Sequence, residues 1–401
     1  MAEPTKISAT KASVQKEEIL FSILLNHVQE HDYSFALWRL PNSQIKNLII
    51  SFTSTPPANA SLEELNDGFI FSPFNKQKQV NFLRSDLSFS FSDGTLTEPK
   101  TPVEISSQNW LQEVVSKAVV KKVKPHYAKR RIADTSIDRK RFEQLVQTSV
   151  QQIEAGRFEK IVPSRSKSID LPDSFDVLEA FQKLCNAYPN AMVSTISIPT
   201  VGTWLGATPE LLVCVEEKTI FKTVALAGTK IFEEGVNLKN VTWTQKEIEE
   251  QALVSRYIIN NFKKIRLREF EEHGPKTVVA GNLMHLKTEF SVDMKATNFP
   301  QLGSVMLNLL HPTSAVCGMP LEPSLEFLQQ HEGYDREFYS GYLGPVNMNN
   351  NINIFVNLRC MQLFEGHAIV YAGAGVTVDS VPEHEWEETE MKLNTLLNVI
   401  L

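Results

Sequence analysis

Apolar and polar positions along this chain alternate with two periods. The segment 138–156, "DRKRFEQLVQTSVQQIEAG", repeats its apolar residues at helical spacing and ends on Gly156, which predicts a helix with a glycine stop. The runs "RFEKIVPSRSKSIDL", "VSTISIP", "TWLGA", "LLVCVEEKTIFKTVALAG", "INIFVNLRCMQLF" and "HAIVYAGAGVTV" are rich in β-formers and predict strands, many joined by hairpin-like turns. Further helices are predicted at about 244–262, 323–331 and 381–400. In the first hundred or so residues, strand-like pieces such as "YSFALWRLP" and "NLIISFTS" are separated by "STPPANAS" and "SDGTLTEPKTP". Hairpin-linked strands with helices between the clusters predict an α+β fold rather than a parallel doubly wound sheet. No internal repeat or low-complexity tract interrupts the pattern.

The last predicted helix carries five glutamates within eight residues: Glu383, Glu385, Glu387, Glu388 and Glu390. Ser380 and Glu383 have the spacing of a capping box, with Pro382 in the first turn. At about 100° per residue, Trp386, Leu393, Leu396, Leu397 and Ile400 form the buried stripe. Glu385, Glu388 and Lys392 line one edge of it. Glu383, Glu387 and Glu390 fall on the opposite side and are predicted to face water. Two carboxylates and a lysine bordering a buried face admit two readings, a Mg²⁺ or anion site and an ordinary Glu–Lys pair. The helix "TQKEIEEQALVSRYIINNF" poses the same question. Glu250 shares a face with Leu253, Val254 and Tyr257, Glu247 lies one turn earlier, and a surface pair with Lys246 is the plain alternative.

Three other features can carry chemistry. Lys160, in the strand-like "FEKIVPSR", alternates onto the side of Phe158 and Val162. It is an edge residue, or a base if an apolar pocket desolvates it. Glu210 in "GATPELL" is a turn carboxylate, or a general acid if its pKa is raised. "ALAGTK" and "AGAG" expose backbone N–H groups suited to an anionic oxygen.

Bulk properties narrow the class. The 401 residues, 42% hydrophobic and 22% charged, suit a soluble globular protein. A net charge of −7 argues against general nucleic-acid affinity. Cys185, Cys214, Cys317 and Cys360 have no metal-binding spacing and suit buried thiols in a reducing compartment. The polar N-terminus and the lack of a long apolar run predict a cytoplasmic protein with no membrane span. A basic stretch, "KAVVKKVKPHYAKRRIADTS", is taken as a solvated helix end running into a linker.

Taken together, the segments "EKIVPSR", "LGATPELL", "ALAGT", "KEIEEQALV", "LMHLKT", "LHPTSAVCGMP", "EGYDREFYSGYLGPV", "NLRC" and "AGAGVTVDSVPEHEWEETEMKL" resemble the chorismate-utilising enzymes. That family includes the isochorismate, salicylate, anthranilate and aminodeoxychorismate synthases. The resemblance implies one large α+β domain over 1–401, with two packed antiparallel sheets and helices outside. Residues 1–130 would be its variable N-terminal part and 138–401 its motif-bearing part. It implies that Glu250 and Glu388 ligate Mg²⁺, with Glu247 and Glu385 contributing through waters. Gly228 and Thr229 would lie beside the ring carboxylate of chorismate, with Lys392 as the nearby cation. Arg359 and Tyr339 would grip the enolpyruvyl carboxylate, Gly375 would make a backbone contact, and His285 would line the site.

Within the family, a lysine at position 160 is similar to the base that activates water for attack at C2, and Glu210 to the acid that protonates the departing C4 hydroxyl. Anthranilate synthases have glutamine at the position of Lys160. Aminodeoxychorismate synthases have a nucleophilic lysine where this chain has Ala227. The expectation is therefore isochorismate synthase, with salicylate synthase as the alternative and anthranilate synthase behind it. A non-catalytic homologue that only binds chorismate or a partner protein is the reading from a different class. No glutamine amidotransferase is expected, and a monomer is reasonable at this size. The chain departs from the family at Gln251, where histidine is common, and at Glu337, where many members have glycine.

Overall fold

Strands such as Ser34–Arg39, Met192–Ile198 and Gly202–Thr208 are buried at every position, so both faces of their sheet must be covered. The computed structural model describes residues 4–55, 61–92, 95–96, 107–116, 122–123, 125–128, 136–232, 235–280 and 283–401. Side chains are described from 17 onward, except at 54–55, 95, 107–109, 229, 231, 280 and 283. Most of the basic stretch noted above lies outside the described residues. The helices are α1 (Pro4–Glu30), α2 (Ser107–Ser116), α3 (Arg139–Glu154), α4 (Val177–Ala187), α5 (Gln245–Lys264), α6 (Leu302–Leu310), α7 (Leu321–His331) and α8 (Pro382–Ile400).

Two nine-stranded antiparallel sheets stack face to face, as the α+β expectation requires. From Ser34–Arg39 to its edge, the first sheet orders Ser34–Arg39, Met192–Ile198, Gly202–Thr208, Cys360–Phe364, His367–Gly373 and Ser164–Asp170. The centre of the second orders Leu283–Asp293, Ile220–Ile231, Leu211–Glu216, Ile352–Val356, Tyr342–Val346 and Gly68–Ser72. Alternation then sorts the side chains. Phe35, Leu37, Leu205, Leu363 and Val370 of the first sheet pack beneath α1, α4 and α8. Trp38, Trp204, Ile369 and Tyr371 point the other way, onto Phe69, Phe71, Leu343 and Phe355 of the second sheet. The far face of that sheet, including Val213, Val215 and Ile354, meets Val254, Ile258 and Phe262 of α5 and Met306 of α6. Helices α3 and α7 enclose a fourth cluster around Phe158, Ile161 and Val376.

The layer between the sheets is aromatic. Phe71 stacks on Phe338 at 4.1 Å between ring centroids, Trp204 on Tyr371 at 5.5 Å, and Tyr371 on Tyr339 at 5.2 Å. Such contacts add to the burial term.

Helices α3, α5, α7 and α8 lie where the periodicity predicts. The N-terminal helix α1 was not predicted, because its polar first half masks the spacing of Phe21, Leu24, Leu25 and Val28, which form its buried stripe. The capping box at 380–383 does not form. Helix α8 is capped at Val381 without a side-chain bond, and Ser380 Oγ instead accepts from Thr377 N at 3.0 Å. All four cysteines are free and buried. Among the described residues, no helix is long and apolar enough to cross a membrane.

Trp204 is 1% exposed between the sheets. Trp204→Ala is expected to cost about 3–5 kcal/mol of unfolding free energy in denaturant titrations. Exposed Lys140→Ala in α3 should stay within about 0.5 kcal/mol of the parent.

Candidate active site

Two chain crossings between the stacked sheets fix the position of a cavity. The chain leaves the first sheet after Thr208 and enters the second at Leu211; it returns between Val356 and Cys360. The crossings are tied to each other. Ala207 N donates to Arg359 O at 3.0 Å, Val356 N to Glu210 O at 2.9 Å, and Thr208 Oγ1 to Val356 O at 2.6 Å. Beside them lies a cavity of about 260 Å³ lined by Lys160, Glu210, Gly228, Glu247, Glu250, His285, Tyr339, Arg359, Gly375, Glu388 and Lys392. Of the other candidates, Glu385 is buried behind this surface, and the side chain of Thr229 lies outside the described residues.

Lys160 is held by its backbone on two sides. The two-residue strand Lys160–Ile161 pairs with Gly318–Met319, and Ile161 bridges to Val376. The residue is 3% exposed, and Nζ donates to Glu250 Oε1 at 2.6 Å. Glu250 therefore pairs with Lys160 and not with Lys246. That field, against the opposing effect of burial, holds its carboxyl down at about 2. Val162 shares the cavity with Lys160, whereas Phe158 turns into the core beside Ile161 because the strand begins only at Lys160. Gly375 keeps this corner open: a Cβ there would sit 3.1 Å from Lys160 Cε and 3.4 Å from Nζ.

A break in strand register between Ala227 and Lys230 turns Gly228 toward the cavity at φ 67°. Its N–H reaches Glu250 Oε2 at 3.3 Å, and its carbonyl accepts from His285 Nδ1 at 2.7 Å. A carbonyl can only accept, so the Nδ1 proton is fixed. Burial, with Arg359 adding to it, lowers His285 to about 4. The ring is thus neutral, and Nε2, buried without a partner among the described residues, is left as an acceptor at the cavity wall.

Glu210 and Arg359 occupy the two crossings. Burial pushes the Glu210 carboxyl up to about 7, against the Thr313 hydroxyl at 3.4 Å and the fields of Lys160, Lys392 and Arg359. Arg359 adopts φ 47°, a left-handed conformation that costs a non-glycine residue about 1–3 kcal/mol and recurs at functional sites. Its guanidinium, whose charge burial disfavours, forms no ion pair among the described residues. Tyr339 lies in the same wall, 4% exposed, with its phenol pushed well up by burial.

Helix α8 supplies the opposite wall. Lys392 Nζ bridges Glu388 Oε1 at 2.6 Å and Gly373 O at 2.9 Å. Glu385 is 4% exposed, and its carboxyl is raised by burial and by neighbouring Glu388. Glu383 and Glu387 face solvent as expected. Glu390 does not: it is half-buried and pairs with Arg165 and, at 3.4 Å, with Lys167. Glu247 closes the N-terminus of α5, its Oε2 accepting from Thr244 N and Oγ1 at 2.6 Å each.

Among the described residues, no three His, Cys, Asp or Glu groups form a closed metal-ligand set. Mg²⁺ does not need one, since it takes one or two carboxylates with waters and an anionic ligand. Glu250 and Glu388 both line the cavity, and burial with the neighbouring Glu388 charge disfavours ionisation of Glu385, which a divalent cation would offset, so the donor set fits Mg²⁺. Residues missed from sequence include Ala315, Val316, Leu358 and Tyr371, which shape the apolar wall, and Lys246 at the rim. The block "LHPTSAVCGMP" was the available signal for the first two.

Comparisons with known proteins bear on this geometry. A family model described as "Chorismate binding enzyme" matches residues 78–401. Isochorismate synthase EntC of Escherichia coli (strain K12) is 29% identical over 266 residues, 64% of this chain and 66% of that protein. The salicylate biosynthesis isochorismate synthase of Pseudomonas aeruginosa is 29% identical over 272 residues, 65% of this chain and 54% of that protein. The matches thus take in less than two thirds of these relatives' lengths. The solved structure of MenF, the menaquinone-specific isochorismate synthase from Escherichia coli, superposes with a TM-score of 0.74 at 20% identity, covering 92% of this chain and 89% of that one.

The elevated Glu210 carboxyl has a measurable consequence. A group whose folded pKa is raised stabilises the fold below its unfolded value, here 4.5, and that contribution disappears as pH rises through about 7. The stability of Glu210→Gln relative to the parent should therefore increase between those pH values. A pH-independent difference in urea unfolding would contradict the raised value.

Proposed function

We propose that this chain, which belongs to the chorismate-binding enzymes, is an isochorismate synthase that adds water at C2 of chorismate as the C4 hydroxyl departs. The observation that carries the proposal is one cavity containing both a buried lysine and a carboxylic acid that titrates at about 7. The reaction needs a base and an acid at once. The C2–O bond forms as the water gives a proton to Lys160, which must first lose to solvent the proton it carries in its ion pair with Glu250. The double bond shifts, the C4–O bond breaks, and the leaving hydroxyl takes the Glu210 proton. Proton count balances over the cycle, and the two side chains then exchange their protons through solvent to reset.

The remaining residues bind and orient. Arg359, lacking a carboxylate partner among the described residues, suits a substrate carboxylate, with Tyr339 beside it. The acceptor Nε2 of His285 suits a substrate hydroxyl and disfavours a carboxylate. Glu250 and Glu388 would ligate Mg²⁺, with Glu247 and Glu385 acting through waters and Lys392, Gly228 and Thr229 around the ring carboxylate. The ion would supply positive charge that anchors this carboxylate and fixes the ring between base and acid. In this reading the enzyme is a cytoplasmic monomer that uses water and needs no amidotransferase.

Purified protein given chorismate and Mg²⁺ is expected to form isochorismate without pyruvate. Pyruvate in step with salicylate would identify a salicylate synthase, and no turnover a binding protein. Lys160→Ala should lose about 10²–10⁴-fold in kcat while still binding chorismate with Mg²⁺; loss of binding in a folded variant would remove the base assignment. Glu388→Gln should move the Mg²⁺ titration to higher concentration, and an unmoved titration would reject Glu388 as a ligand.

A further inference from the structure

Behind the wall that carries Lys160 lies an ion pair with no role in the chemistry above. Glu332 and Arg336 are one turn apart just after α7, and each is 3% exposed. Arg336 uses its planar fork on three partners. Nε donates to Glu332 Oε2 at 2.8 Å, Nη1 to Val316 O at 2.7 Å and Nη2 to Val162 O at 2.8 Å, with a further contact from Nη2 to Glu332 Oε1. Glu332 Oε1 also accepts from Ser164 N at 2.8 Å and Ser164 Oγ at 2.9 Å.

Val162 and Val316 both line the cavity and belong to the segments that pair through Lys160–Ile161 and Gly318–Met319. Pairing with the Gly318–Met319 segment ends at Val162, whose N–H donates to Cys317 O at 2.9 Å, and Pro163 has no N–H to continue it. The Val162 carbonyl and the Ser164 amide are held instead by the two members of the ion pair.

A buried ion pair contributes little net stability, because desolvation offsets the attraction; apolar residues of similar volume often serve as well. What this pair provides is geometry, since a rigid guanidinium fixes two carbonyls from different segments at once. We propose that Glu332 and Arg336 are positioning residues that hold the Lys160 strand against the Val316 wall and so aim the lysine into the cavity. They touch neither substrate nor reacting atoms. The proposal deepens the isochorismate synthase reading and rests on Lys160 being its base.

The test is the double variant E332M/R336M, which removes both charges together and avoids leaving one buried alone. It is expected to fold with a lowered Tm, because the Val162 and Val316 carbonyls and the Ser164 amide lose their partners. Its kcat should fall about 100-fold, the scale of loss for a displacement near 1 Å, while chorismate affinity changes by no more than about threefold. Acylation of Lys160 by a small amine-reactive reagent, followed by peptide mass spectrometry, should be about tenfold faster than in the parent, with Lys392 labelling unchanged as the control. E332Q/R336Q, neutral but still able to hydrogen-bond, gives a second point if the first double variant does not fold, and should move kcat and labelling in the same directions by less. Unchanged kcat and labelling in a folded variant would overturn the proposal, as would affinity lost in step with kcat. If the parent itself does not convert chorismate, the isochorismate synthase reading fails, and Lys160 labelling still decides whether the pair positions that strand.

Discussion

The stacking of two sheets through one aromatic layer is the constraint from which the rest of the architecture follows. Each central strand must be apolar on both faces, and the outer faces must then be closed by helices. The layer does not end at the core. Trp204 stacks on Tyr371, which stacks on Tyr339, and the last two rings form part of the cavity wall. The chain has to pass between the sheets, and at those crossings its backbone leaves the hydrogen-bond ladders. Glu210 and Arg359 occupy two such crossings, where strand geometry no longer dictates side-chain direction.

Charge is managed there by pairing and by neutralisation. Lys160 with Glu250, and Lys392 with Glu388, bring two cations and two anions to the cavity at contact distance. Burial favours the protonated form of Glu210 and the neutral form of His285. Arg359 remains as a cation without a protein carboxylate among the described residues, which gives the cavity affinity for an anion. Backbone strain at Arg359 and the register break at Gly228 are the local costs of this arrangement.

Much of this was legible in the sequence because it depends on periodicity. Helical projection turned Glu385 and Glu388 inward, and the runs of β-formers gave the strands and the α+β class. The same projection misjudged Glu390, since its partner Arg165 comes from a distant strand and leaves no mark on the helix itself. The contact between Lys160 and Glu250 spans 90 positions, so no local pattern encodes it. Sequence suggested each as an inward-facing candidate, and only the fold makes them partners. The resemblance named residues that line the cavity but not the Glu332–Arg336 pair behind it, because contacts to backbone carbonyls depend on the path of the chain.

The order in which the parts of the cavity occur along the chain has a consequence for its synthesis. Lys160 emerges from the ribosome long before the strand His367–Gly373 that pairs with Ser164–Asp170, and before α8, which brings Glu388 and Lys392. Until translation has passed residue 373, a nascent chain holds Lys160 beside an unpaired sheet edge, and until it has passed residue 392 it lacks part of the α8 wall. Such edges invite pairing with other chains. The exposed edge is thus closed by the strand His367–Gly373, one element before α8 completes the cavity wall.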